Sequence, residues 1–211
     1  MDVSPVDFII KTKKSELIYK RIFDIVASLV GIIILAPLLL FVAIWIVIES
    51  PGGPIYTQQR VGRNKKLFQI YKFRSMYLHS EGRQLTISSD LRITRVGQFI
   101  RRTKIDELPQ FFNVLKGDMS FVGPRPEVPR YVAYYSSEQE EVLKMRPGIT
   151  DIASIEYLYE NELLDNSDDP EKTYVNKILP EKLRLNLAYI ENFSFVNDIK
   201  VILKTIRCLL K

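Results

Sequence analysis

The hydrophobic pattern of the chain is dominated by one apolar run, Ile25 to Ile48, that contains no charged residue. At roughly 24 residues it has the length of a transmembrane helix. Pro37 falls in its middle, where it removes a backbone donor and crowds the preceding turn, so the pattern predicts a kink or a break there. Both flanks are basic. Lys11, Lys13, Lys14, Lys20 and Arg21 precede the run, and Arg60, Arg63, Lys65, Lys66, Lys72 and Arg74 follow it. Cationic flanks prefer the cytoplasmic side, so a single span would strand one set on the wrong face. Two readings stay open: a re-entrant helix–break–helix, each half about 18 Å long, and a kinked span. Either one places the rest of the chain at a membrane surface.

The remaining pattern predicts residues 1–19 as a loosely ordered polar arm, 20–50 as the membrane hairpin and 51–211 as a cytosolic domain at the membrane surface. Ile55 to Arg60 and Leu67 to Phe73 form a β-hairpin or an irregular surface segment. The stretch from Asp90 leads into a helix through Phe99 to Arg102. A second helix opens at Asp106-Glu107-Leu108-Pro109, runs to Lys116 and closes at Gly117, with Leu108, Phe111 or Phe112, and Leu115 on its apolar face. An amphipathic segment covers Tyr131 to Leu143, and an acid-rich solvated loop covers Glu156 to Glu171 around Asn166. Helical pattern resumes from Pro180. Asp198 to Lys211 sets Ile199, Ile202 or Leu203, and Ile206 against Lys200, Lys204 and Arg207, a stripe suited to the core or to a bilayer interface. The fold class is therefore α/β, mainly helical: a membrane element plus a compact cytosolic domain with surface amphipathic helices.

Charge narrows the partners. A formal net charge of +5 favours anionic ones, phosphorylated lipids, nucleotides or acidic membrane. Nucleic acid is the rival, but the cations crowd beside the apolar run and along Arg92 to Lys104, which favours a membrane surface over a duplex. A single Cys (Cys208) and a single His (His79) exclude an intramolecular disulfide framework and a Cys/His zinc cluster. The apolar run is too long for a cleavable signal and lacks a small-residue cleavage site after it.

Candidate chemistry gathers around three sets of residues. Lys72 and Arg74 either belong to a basic surface or point into a phosphate pocket, where a guanidinium offers bidentate contacts. Asp106 suits an N-cap, and Glu107 suits the first turn of a helix. The functional alternative rests on Arg101, Arg102 and Lys104 just before them. Two carboxylates can hold a hard divalent cation, and one could attack a phosphorus atom made electrophilic by metal and arginines. Pro124-Arg125-Pro126 restricts the backbone on both sides of Arg125, and Arg146-Pro147-Gly148 repeats an arginine beside turn residues.

The order of these motifs resembles the monotopic bacterial sugar transferases, the polyprenyl-phosphate phosphoglycosyl transferases that initiate glycan assembly. The resemblance begins at Lys20-Arg21-Ile22-Phe23-Asp24 and Pro37. It continues through Gln59-Arg60-Val61-Gly62, Lys72-Phe73-Arg74-Ser75-Met76 and Arg92-Ile93-Thr94-Arg95-Val96-Gly97. Its most specific block runs from Asp106-Glu107-Leu108-Pro109-Gln110 through Asn113 to Ser120 and Gly123-Pro124-Arg125-Pro126. Arg146 to Thr150 and Asp198-Ile199-Lys200 complete it.

The resemblance implies a re-entrant helix broken at Pro37 and an active site on the cytosolic face of the bacterial cytoplasmic membrane. It implies transfer of a sugar 1-phosphate from a nucleoside diphosphate sugar, with UDP as the carrier, to undecaprenyl phosphate, with Mg²⁺ as cofactor. Asp106 then matches the nucleophile that forms a covalent phospho-sugar intermediate, and Glu107 supports the metal beside it. Arg101 and Arg125 match family basic positions expected near the phosphates or nucleotide, and Lys72, Arg74 and Arg146 join them as substrate-binding candidates. The partners are the sugar nucleotide, the lipid phosphate and the membrane, not nucleic acid, and there is room for a homo-oligomer. The family pattern has Gly and Gln where this chain has Asp151 and Ser154, and Asp where it has Asn186. A catalytically inert membrane-surface scaffold for glycan-assembly partners is the alternative function.

Overall fold

The computed structural model describes residues 4–78, 91–158, 160–165 and 167–209. His79, Asp90, Asn166 and Lys211, on which parts of the sequence reading fall, lie outside the described residues. The N-terminal arm is helical rather than loose: α1 spans Pro5–Thr12. Ser4 caps it by accepting the Asp7 N–H, and Pro5 sits at its first position, where no backbone donor is missed. Val6 is buried in the main core. Lys144 Nζ lies 2.5 Å from Asp7, and Ser4 Oγ donates to Glu141 at 2.5 Å. The arm's partners lie 137 residues away in the chain, beyond the reach of local pattern.

The apolar run belongs to a longer helix, α2, Lys14–Glu49, which is continuous through Pro37 and so corrects the predicted break. Proline forfeits one hydrogen bond and strains one turn, a cost of about 3 kcal/mol. Here Pro37 is exposed, and the turns on either side are held by packing. On the N-terminal side, Lys20, Asp24 and Ser28 form a buried stripe at four-residue spacing. Lys20 Nζ donates to Asp198 at 2.5 Å and to the Val122 carbonyl at 2.7 Å. Asp24 Oδ1 accepts from Ser120 Oγ at 3.1 Å and from the Phe121 N–H at 3.0 Å. On the C-terminal side, Val42 and Ile46 pack with Phe73, Val96 and Ile100. Both ends of α2 are thereby fastened to one folded unit. Its opposite face stays apolar and open, with Ile33 65%, Ile34 69% and Ile48 77% exposed.

The predicted hairpin forms as β1, Ile55–Val61, antiparallel to β2, Leu67–Phe73, with Ile55 opposite Phe73. Next comes α3, Arg95–Arg102, capped by Thr94 and by the Glu49 carboxylate, which accepts the N–H groups of Arg95 and Val96 at 2.9 Å each. The helix predicted to open at Asp106 begins later, as α4, Gln110–Lys116. Asp106 lies instead in a 3₁₀ turn, Ile105–Glu107, because Pro109 is placed at the start of α4 and Lys104 enters a left-handed conformation at φ 57°. Gly117, at φ 93°, ends α4 as expected, in a conformation a side chain would strain.

Beyond α4, a short parallel pair forms from β3, Ser120–Val122, and β4, Gly148–Thr150. The amphipathic helix expected over Tyr131 to Leu143 is instead the single turn α5, Pro129–Val132, and a 3₁₀ stretch, Gln139–Lys144. The acid-rich segment carries α6, Ile152–Glu156, α7, Glu160–Asp165, and α8, Pro170–Thr173. Leu164 is buried there, which supplies the packing that a wholly solvated loop would lack. After one π-helical turn at Tyr174–Ile178 come α9, Leu179–Glu191, and α10, Phe195–Leu209. The main core joins α1, α9 and α10 through Val6, Leu183, Ile190 and Val201.

Candidate active site

A cleft of about 1080 Å³ opens between α3, the 3₁₀ turn, the Pro-Arg-Pro segment and α10. Asp106 and Glu107 lie on its wall, side by side and in different states. Glu107 Oε1 accepts Lys72 Nζ and Arg125 Nη2, both at 2.8 Å. Burial alone would raise the Glu107 pKa, but Arg125 and Lys72 outweigh it and hold the carboxyl well below the usual range. Asp106 Oδ1, by contrast, is buried without a hydrogen-bond partner. Its pKa is pushed up by burial, opposed by Lys72 and reinforced by Glu107. One carboxylate is a fixed counter-ion; the other is unengaged. Asp106 also does not cap α4, whose N-cap is Pro109 with no side-chain capping bond.

The elements that deliver these groups are tied together. Asn113 of α4, wholly buried, accepts the Tyr71 N–H at 2.9 Å and donates to the Gln69 carbonyl at 2.7 Å. Those bonds brace β2 just before Lys72. Asp151, where the family pattern has Gly, is a buried N-cap of α6: Oδ1 accepts the Ser154 N–H at 2.7 Å and Oδ2 the Arg125 N–H at 3.3 Å. It therefore braces the backbone that aims Arg125. Asn186 is buried with Oδ1 unpartnered, beside a cavity of about 20 Å³ behind Pro124 and Pro126.

The structure brings Lys72, Arg101, Arg125, Asp106 and Glu107 to the same cleft. Two arginines predicted to bind substrate do not line it. Arg74 is buried and donates to the carbonyls of Pro51 and Ser50, which clamps the chain leaving α2. Arg146 Nε donates to the Gly117 carbonyl at 3.1 Å, so its guanidinium secures the turn after α4. In both cases unsatisfied backbone acceptors at helix ends recruit the cation. The cleft also holds Gln58, Arg60, Glu127 and Tyr174, which sequence reasoning did not assign to a site. Arg60 and Glu127 could have been found from their places in Gln59-Arg60-Val61-Gly62 and just after Pro124-Arg125-Pro126. Tyr174 carries no such signal.

A divalent cation was expected at Asp106 and Glu107. Among the described residues no group of three or more acidic, His or Cys side chains converges. Of the pair, Asp106 Oδ1 is the unpartnered oxygen that a cation could take, whereas Glu107 Oε1 is already shared by Lys72 and Arg125, so few protein oxygens are on offer. Mg²⁺ is commonly held in this way, by one or two carboxylates plus substrate phosphates and water.

Comparison with known proteins gives a consistent result. A UDP-N-acetylgalactosamine-undecaprenyl-phosphate N-acetylgalactosaminephosphotransferase of Aeromonas hydrophila is 42% identical over 196 residues, covering 90% of this chain and 43% of that protein. An undecaprenyl-phosphate galactose phosphotransferase of Salmonella typhimurium is 37% identical, over 94% of this chain and 42% of that protein. The chain thus spans less than half the length of these two relatives. The exopolysaccharide production protein PSS of Rhizobium leguminosarum is 40% identical over 200 residues, covering 90% of this chain and 94% of that protein. The family model for bacterial sugar transferases matches residues 15–211, so the chain belongs to the bacterial sugar transferase family.

Proposed function

We propose that this chain transfers a sugar 1-phosphate from a nucleoside diphosphate sugar, with UDP as the favoured carrier, to undecaprenyl phosphate, through a covalent intermediate on Asp106. The observation that carries this reading is the contrast between an unengaged Asp106 carboxylate and a Glu107 carboxylate held by Lys72 and Arg125. In the first step an Asp106 oxygen attacks the phosphorus that bears the sugar. An acyl phosphate bond forms, the pyrophosphate P–O bond breaks, and the nucleoside monophosphate leaves with the electron pair. In the second step an oxygen of the lipid phosphate attacks the same phosphorus, displacing the Asp106 carboxylate and leaving a lipid diphosphate sugar.

The residues have distinct parts in this scheme. The Asp106 carboxylate attacks without a general base, and burial makes its charge less well solvated than in water and hence more reactive. Arg125 and Lys72 face the charge that develops on the transferring phosphoryl group, and Glu107 keeps both in place between turnovers. Arg101 extends the cationic wall towards the leaving phosphate. Mg²⁺, held by Asp106 and Glu107, would neutralise charge on the pyrophosphate.

Membrane placement belongs to the same proposal. Lys20 and Glu49, near opposite ends of α2, both bond to the folded domain, so both ends belong on one side. The exposed apolar face of α2 between them would lie in the cytosolic leaflet without crossing the bilayer.

Asp106→Asn tests the chemistry. Intact-protein mass spectrometry after mixing with a UDP-sugar, in the absence of lipid acceptor, should find a phospho-sugar adduct on the wild type and none on the variant. A folded Asp106→Asn enzyme with normal turnover would remove Asp106 from the mechanism, and an inert scaffold would form no adduct in either protein.

A further inference from the structure

The cleft wall has three chemically different parts, and only two are accounted for by the lipid phosphate and the pyrophosphate. Arg101, Arg102 and Lys104 make one part cationic, as phosphate oxygens require. Ile202, Ile206, Leu209 and Phe111 make another apolar, as a polyprenyl chain requires. The third is built from Gln58, Arg60, Glu127, Tyr174, Lys182 and Glu160, and it is polar but balanced in charge. Arg60 Nη1 lies 3.7 Å from Glu127 Oε2, and Lys182 Nζ lies 2.7 Å from Glu160 Oε2. Each cation has its own acid.

Within this third part, the Tyr174 hydroxyl donates to Glu127 Oε1 at 2.5 Å. The Tyr174 ring stands 5.0 Å from that of Tyr131, with Lys182 Nζ 5.6 Å from its centre. Tyr174 is presented by the π-helical turn Tyr174–Ile178, a widened geometry that recurs at functional sites and costs hydrogen-bond quality elsewhere. Arg60 Nε has no acceptor. Half-buried carboxylates and an amide, beside the buried Tyr174 phenol and aromatic faces, match a neutral ring carrying many hydroxyls. A site lacking net charge gains nothing from a further phosphate.

We infer that Glu127, Tyr174 and Arg60 form the subsite for the glycosyl ring of the donor, with Glu127 accepting sugar hydroxyls and Tyr174 fixing its carboxylate. This rests on the proposed sugar 1-phosphate transfer and adds the part of the cleft that reads the sugar. The ribose of the nucleotide has similar hydroxyls, and the experiment separates the two sources.

Glu127→Gln and Tyr174→Phe, each in the full chain in detergent, are assayed with a panel of UDP-hexoses and UDP-N-acetylhexosamines, measuring UMP release. UDP, which lacks the sugar, serves as a competitive inhibitor. For the donor that the wild type uses best, kcat/KM should fall about 10- to 100-fold in Glu127→Gln, the scale of a lost hydrogen bond to a charged group. It should fall less in Tyr174→Phe, which keeps the ring, and the ranking of donors should change. Inhibition by UDP should stay within about twofold, which also establishes that both variants are folded. An equal weakening of UDP would assign the subsite to the nucleoside and overturn the inference, as would an unchanged kcat/KM in both variants. A wild type inactive with every donor would instead refute the transferase reading itself.

Discussion

Asp106 and Glu107 are neighbours with opposite electrostatics, and this difference is measurable. The Asp106 pKa is raised, so its ionised form costs stability as pH rises from the unfolded value, about 3.9, through the folded one. Asp106→Asn should therefore be as stable as the wild type or more so at neutral pH, while inactive. A helix cap would behave oppositely, losing stability without losing turnover. The wild-type rate should also fall on acidification, beginning at a higher pH than an ordinary Asp would give. Glu107 has the reverse sign. Its lowered pKa contributes stability that is fully present above its unfolded pKa of about 4.3 and is lost as pH falls through the lower folded value. Glu107→Gln leaves Lys72 and Arg125 without their shared acid and should cost about 2 kcal/mol at neutral pH, below the 3–5 kcal/mol of a fully buried pair because the site keeps some solvent. Denaturant unfolding in detergent, repeated between pH 3 and 7, checks both signs. Arg125→Lys keeps the charge but loses the planar fork that reaches Glu107 from a braced backbone, so turnover should drop at least tenfold in a folded protein. Arg63 is the contrast. Its Nε donates to the Lys144 carbonyl at 3.0 Å, away from the cleft, and Arg63→Ala should cost about 1 kcal/mol of stability with near-normal turnover.

At the scale of elements, the joint between α2 and α10 carries a buried ion pair. Lys20 and Asp198 are 6% and 2% exposed, and the Tyr189 hydroxyl also donates to Asp198 at 2.6 Å. Removing one partner strands the other charge, so Lys20→Met should destabilise by about 3–5 kcal/mol. The double variant Lys20→Met, Asp198→Asn should recover part of that loss, since no net charge is then left behind. A double-mutant cycle in thermal or denaturant unfolding gives the coupling; additive losses would mean that the pair does not hold the joint. The same elements explain why the helix boundary at Asp106 was not readable locally. Asp-Glu before a leucine and a proline has the composition of a helix start. The left-handed Lys104 and the position of Pro109 displace the start to Gln110, freeing Asp106 from the capping role its type suggests.

For the whole molecule, the placement of α2 is the central prediction. Because Lys20 and Glu49 bond to one domain, Lys11→Cys and Lys66→Cys, each on a Cys208→Ser background, should be labelled alike by an impermeant thiol reagent. Both should be protected in intact cells and both reactive in inverted membranes. Labelling of one site alone in intact cells would mean a span. Pro37→Leu restores the backbone donor that proline lacks. With α2 already continuous and held at both ends, the same labelling pattern should persist in that variant.

The sequence by itself determined much of this protein. The apolar run dictated a long helix with an open apolar face, since hydrophobic length is a local quantity. Alternation and turn residues dictated the β-hairpin, and the ordered motifs from Lys20 to Asp198 dictated the family. Tertiary structure alone decided the rest, because each remaining question concerns a partner distant in sequence. Whether an arginine lined the cleft or clamped backbone depended on which acceptors folding left unsatisfied beside it, so Arg125 reached Glu107 while Arg74 and Arg146 took carbonyls. Whether Pro37 broke its helix depended on packing at Lys20, Asp24, Val42 and Ile46. Whether Asp106 was a cap or a free carboxylate depended on where Lys72 and Arg125, 34 residues before it and 19 after it, placed their charges: on Glu107, leaving Asp106 unengaged.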